Sequence, residues 1–67
     1  MNNYEIDIEK LRRDLINYFG TAMYNGSPQA MIELSRIEHA SPSELINIAI
    51  NNGVDINDYV IGKSLYL

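Results

Sequence analysis

The stretch NGSPQAMIELSRIEHASPSE, residues 25–44, spells one helix from end to end and the opening of the next. It holds two Ser-Pro pairs, Ser27-Pro28 and Ser41-Pro42. A serine at an N-cap accepts a hydrogen bond from a first-turn amide, and a proline just inside lacks only an amide that would be orphaned anyway. Glu44, three residues after Ser41, completes a Ser-x-x-Glu capping box. Gly26, before the first pair, and Gly53, further on, stand where a helix C-terminus needs a left-handed residue. These start and stop signals predict a helix over Pro28–His39 and another over Pro42–Asn51.

Working outward, Asp7 can cap a first helix running to Tyr24. On a wheel of about 100° per residue, Ile8, Leu11, Leu15, Phe19 and Ala22 share one stripe, widened by Ile16, Tyr18 and Met23. Gly20 interrupts this helix by composition and costs about 1 kcal/mol against alanine. It marks either a helix end or a close approach of another backbone; the reading adopted is a continuous helix. The second helix turns Ala30, Leu34 and Ile37 inward, flanked by Met31. The third spreads Leu45, Ile48 and Ala49 over one side, with Ile46 and Ile50 beside them. Asp55 can cap a short last helix holding Ile56, Tyr59 and Val60, closed by Gly62. Residues 1–6 read as a polar lead-in, residues 65–67 as an apolar tail, and no strand-like alternation persists. The expected fold is all-α: a compact bundle of three helices plus a short C-terminal fourth helix, one domain over residues 1–67.

The chain has 67 residues, an apolar content of 46%, no cysteine and one histidine. Disulfides and thiolate metal sites are thereby excluded, and a structural zinc site is not expected. A net charge of −4 and a pI of about 4.6 disfavour nucleic acid, which is bound through concentrated Lys and Arg. Of the basic residues only Lys10, Arg12 and Arg13 cluster. No apolar run approaches the roughly 18–20 residues that span a bilayer. The start Met1-Asn2-Asn3-Tyr4-Glu5 lacks the pattern of a signal peptide, so a cytoplasmic protein is expected.

Catalytic chemistry finds little purchase. Ser41 and Ser43 near His39 are accounted for by capping, and His39 suits a helix C-terminus. Asp55-x-Asn57 begins like a calcium loop but sets Val60 where the turn glycine belongs. No catalytic residue, metal, cofactor or small-molecule ligand is therefore expected. Arg12 stands out, because it falls inside the apolar arc of the first helix. It must either snorkel outward along its stem or form a partly buried ion pair with Glu33, Glu38 or Glu44, within the chain or across a dimer.

Ser35-Arg36-Ile37-Glu38, with Ser41-Pro42-Ser43-Glu44-Leu45-Ile46-Asn47-Ile48-Ala49 and Gly53-Val54-Asp55-Ile56, resembles the later part of Cro/repressor-type helix-turn-helix domains. The resemblance implies DNA binding through a recognition helix. The family's first helix, turn and recognition helix, however, need more residues than Gln29–Glu38 provides. The expected function is a non-enzymatic protein-interaction or self-associating helical module. The alternative is a diverged helix-turn-helix protein acting on DNA or on a transcriptional regulator. A domain this small, with no disulfide, gains from a partner, and Ile16, Met23, Ile46 and Ile50 are the expected interface of a homodimer or of a contact with another helical protein. A compact monomer whose last helix and tail cover that surplus is the competing arrangement.

Overall fold

The structure, a computed structural model, describes residues 4–63. It is compact and mostly helical. Helices α1 (Ile8–Tyr24), α2 (Pro28–His39) and α3 (Pro42–Asn51) lie where the capping grammar sets them. Asp7 caps α1, its carboxylate accepting the Lys10 amide at 3.1 Å. At α3 both halves of the capping box form: the Ser41 hydroxyl accepts from the Glu44 amide at 3.3 Å, and the Glu44 carboxylate accepts from the Ser41 amide at 3.0 Å. That backbone amide, followed by the Ser41 hydroxyl, holds the Glu44 carboxyl below its ordinary range.

The two C-caps are a matched pair. Gly26 and Gly53 take positive φ, +95° and +79°. After α1, the Gly26 amide donates to the Met23 carbonyl and the Ser27 amide to Ala22. After α3, Gly53 donates to Ile50 and Val54 to Ala49. Each is a Schellman closure that satisfies carbonyls otherwise left without partners. Ser27 departs from expectation: it occupies the N-cap of α2, but its side chain makes no capping bond. Its amide is already committed to closing α1, so the three-residue connection serves the end of one helix more than the start of the next.

The fourth helix requires correction. Ile56–Tyr59 forms only a 3-10 turn, opened by the Asp55 carboxylate accepting from the Asn57 amide at 2.9 Å. Val60 and Gly62 then belong to a strand, β2 (Val60–Lys63), and the supposed lead-in contains another, β1 (Tyr4–Ile6). The strands pair antiparallel, Glu5 opposite Gly62 and Ile6 opposite Val60, with a bulge that leaves Ile61 unmatched. The Asp7 amide extends this join by donating to the Tyr59 carbonyl at 2.8 Å. The expected tail, residues 65–67, lies outside the described residues.

α1 runs unbroken through Gly20 and forms an antiparallel hairpin with α2 across the short connection at Asn25–Ser27. One core joins the three helices and the 3-10 turn. Leu11, Leu15 and Phe19 enter it from α1, Ala30 and Ile37 from α2, and Leu45, Ile48 and Ala49 from α3. Ala40, between α2 and α3, and Tyr59, from the 3-10 turn, complete it. Among the described residues, no helix is long and apolar enough to cross a membrane.

Candidate interaction surface

From Leu15 to Ile32 the chain carries no Asp, Glu, Lys, Arg or His. That stretch is the second half of α1, the connection and the first turns of α2: one end of the hairpin. Its buried contributions are Leu15, Phe19 and Ala30. Outside them stand Tyr24 (90% exposed), Met31 (62%), Tyr18 (60%), Ile32 (57%) and Met23 (39%). Five of the seven large apolar side chains exposed among the described residues thus lie at this end. Ordinary surface intersperses such residues with charge. Depletion of charge with enrichment in Tyr and Met is the composition of an interface core.

The expected interface residues divide. Ile16 and Ile46 are partly buried and pack against the core. Met23 is exposed within the uncharged hairpin end, and Ile50 is exposed on α3 (57%). The structure brings Ile16 and Met23 onto one face of α1, seven residues apart, and leaves Ile50 on a different element. The exposed side chains at Tyr18, Tyr24, Met31 and Ile32 were not singled out from the sequence as interface. The unbroken absence of charge from Leu15 to Ile32 was the signal available there.

Among the described residues, Arg12 meets no carboxylate. Its guanidinium donates to the Ile37 carbonyl at 2.7 Å and to the Ala40 carbonyl at 3.2 Å, both at the C-terminal end of α2. Glu33, one of the expected partners, pairs with Arg36 instead, and Glu44 with the Ser41 amide. The physical reason lies in how α2 stops. Its C-cap, Ala40, is extended and no glycine closes the helix, so its last carbonyls need an outside donor. A cation there also opposes the negative end of the helix dipole.

A second polar cluster ties α1 to the 3-10 turn. The Tyr59 hydroxyl donates to the Asp14 carboxylate at 2.6 Å, Lys10 pairs with the same carboxylate at 3.0 Å, and the Lys10 ammonium lies 4.7 Å from the Tyr59 ring centroid. The Tyr59 hydrogen bond, and after it that of Lys10, holds the Asp14 carboxyl below the usual carboxylate range. The same bond to Asp14, with burial second, pushes the Tyr59 phenol up to about 12. Asp14 titrates lower in the folded chain than in the unfolded one. Its contribution is therefore present above the ordinary carboxylate range and is lost as pH falls through the folded value. Tyr59 titrates higher when folded, so its contribution is complete below about pH 10 and lost as pH rises toward the folded value. Tyr59→Phe should flatten both limbs of a melting-temperature profile taken from about pH 3 to about pH 11. A variant profile that runs parallel to wild type would show that the pairing carries no stability.

The remaining places of chemical interest are modest. Ile6, Ile56, Asn57 and Val60 line an open cleft of about 430 Å³ beside the small sheet. His39 Nδ1 lies 3.1 Å from the Ser35 carbonyl, and the Ser41 hydroxyl is engaged in capping. Among the described residues, no three His, Asp or Glu side chains gather as a metal site would need. No protein-family model, curated protein or solved structure matches the chain. Fold and surface together define a small, mostly helical domain with one uncharged apolar end.

Proposed function

We propose that the protein is a non-enzymatic interaction module, which acts by burying an apolar helix face against a helical partner. The observation that carries this reading is the hairpin end from Leu15 to Ile32. Taking about 200 Å² for a fully exposed large side chain, its five protruding residues offer roughly 600 Å². A standard interface takes about 800 Å² from each partner. The basic groups support a protein partner over nucleic acid. Arg12 is spent on α2 carbonyls and Lys10 on Asp14, which leaves little of the one basic cluster for phosphates.

The test compares wild type with a Met31→Glu, Ile32→Glu double variant, both exposed positions where a carboxylate can be solvated without disturbing the core. Cross-linking in the native host, read by mass spectrometry, should show at least one partner, self or other, that the variant loses while its helical circular dichroism is unchanged. Identical cross-links for the two proteins would overturn the reading. Sequence-selective binding to duplex DNA at submicromolar affinity and about 150 mM salt would overturn it in favour of a helix-turn-helix role.

A further inference from the structure

The chain contains two Asn-Gly pairs, Asn25-Gly26 after α1 and Asn52-Gly53 after α3. In such a pair the glycine nitrogen, once its proton has gone to a solvent base, can attack the asparagine side-chain carbonyl carbon. Glycine makes the attack easiest, because no Cβ hinders the approach of its backbone. The new N–C bond closes a five-membered succinimide, and the side-chain nitrogen takes a proton from solvent and leaves as ammonia. Water then opens the ring at one of its two carbonyls. Breaking the new bond gives aspartate; breaking the original main-chain bond gives isoaspartate. On balance one water is consumed, one ammonium is released, and a neutral amide becomes a carboxylate.

The two pairs share a geometry but are held differently. Both asparagines are exposed C-caps with nearly the same backbone, φ −83° and ψ 9° at Asn25, φ −102° and ψ 11° at Asn52. In both, the glycine amide is tied to a helix carbonyl, Gly26 to Met23 at 2.9 Å and Gly53 to Ile50 at 3.1 Å. Reaction therefore waits for the closure to open. At α3 two restraints oppose opening. The Asn52 side-chain amide donates to the Ile48 carbonyl at 2.8 Å, which holds the side chain back over the preceding turn. Val54, just past the glycine, packs against the core, the apolar contact that often accompanies this closure. At α1 both restraints are missing. Among the described residues the Asn25 side chain makes no hydrogen bond. The residue past Gly26 is Ser27, which brings no apolar contact and whose side chain makes no capping bond. A helix end held by backbone bonds alone opens at lower cost.

We propose that Asn25 is a site of spontaneous deamidation in the folded chain, while Asn52 is shielded by its two restraints. The new carboxylate falls at the C-terminal end of α1, where the last turn holds no basic residue and the dipole disfavours negative charge. It is also the first charge in the stretch from Leu15 to Ile32. Isoaspartate adds a main-chain methylene as well, which displaces the closure at Gly26. Modification therefore both charges and loosens the hairpin end. That it weakens binding of a partner there rests on the interaction reading above; the modification itself does not.

The test keeps the full chain folded in mildly alkaline buffer, samples it over time and digests each sample with trypsin. Cleavage after Arg13, Arg36 and Lys63 puts Asn25 and Asn52 in separate peptides, 14–36 and 37–63. Mass spectrometry then follows the exchange of amide for acid in each, and fragment spectra locate it. In the folded chain Asn25 should convert at least tenfold faster than Asn52, whereas in urea the two should convert at similar rates. Asn25→Gln should leave the first peptide unchanged over the same period. If Asn52 keeps pace with Asn25 in the folded chain, or Asn25 converts only in urea, the proposal is overturned. A tenfold gap that persists in urea overturns it as well, because local sequence and not the caps would then set the rates. None of these rates needs a partner, so their failure strikes this proposal alone and leaves the interaction reading to its cross-links.

Discussion

Leu45→Ala should leave the chain largely unfolded at 37 °C. Leu45 is fully buried, on the one helix that closes the bundle over α1. Truncating a buried leucine costs about 2–5 kcal/mol, transfer and cavity together. A single core in a domain of this size supplies only about 3–5 kcal/mol, so this one change removes most of it. The neighbouring Ile50→Ala is the control. It lies on the same helix but is exposed, and a substitution of that kind moves stability by about 0.5 kcal/mol or less. Circular dichroism melts of the two variants should differ by more than 10 °C, taking about 4–8 °C per kcal/mol for a short chain. If Leu45→Ala melts within a few degrees of Ile50→Ala, α3 does not pack as the structure shows it.

That contrast was partly legible in the sequence, which sets Leu45, Ile48 and Ala49 on the inner side of α3 and Ile46 and Ile50 beside them as surplus; Ile50 is indeed exposed, whereas Ile46 is partly buried against the core. Periodicity says which side of a helix is apolar, but neighbours decide how much of that side is covered. The helix limits, by contrast, were legible, because caps are local chemistry: Asp7, Ser41 with Glu44, Gly26 and Gly53 act within one turn of where they stand. The strands were not legible for the converse reason. Tyr4–Ile6 and Val60–Lys63 are too short to show alternation, and their pairing joins the two ends of the described chain. Val60 and Ile61, both β-branched, were drawn into a helix reading by the Asp55 cap, which opens only a 3-10 turn. The hairpin surface was half legible. The lack of charge from Leu15 to Ile32 is plain in the sequence, whereas the exposure of Tyr18, Tyr24, Met31 and Ile32 follows from α3 covering other parts of the hairpin.

Arg12→Met should destabilise the fold by about 1.5–3 kcal/mol, the usual contribution of hydrogen bonds made by a charged group. Methionine keeps much of the apolar stem along α1, so the loss isolates the guanidinium from the packing of its methylenes. The two carbonyls involved do different work. Ile37 also accepts from the Ala40 amide at 3.3 Å, so its oxygen keeps one partner when Arg12 is gone. Ala40 loses the contact at the residue that turns the chain from α2 into the capping box of α3. Arg12 therefore sets where α3 begins relative to α1, by fastening the end of the intervening helix to α1. Arg12→Lys should recover only part of the loss: both bonds come from one terminal guanidinium nitrogen, which the shorter lysine stem does not reach, and an ammonium is more strongly hydrated than a guanidinium. Urea titration gives the magnitude, and amide hydrogen exchange gives the place. Faster exchange in the last turn of α2 and the first turn of α3, with the middle of α1 unchanged, is the expected pattern. An Arg12→Met protein as stable as wild type would mean that water satisfies these carbonyls equally well. The end of α2 would then be held by the burial of Ile37 and Ala40 alone.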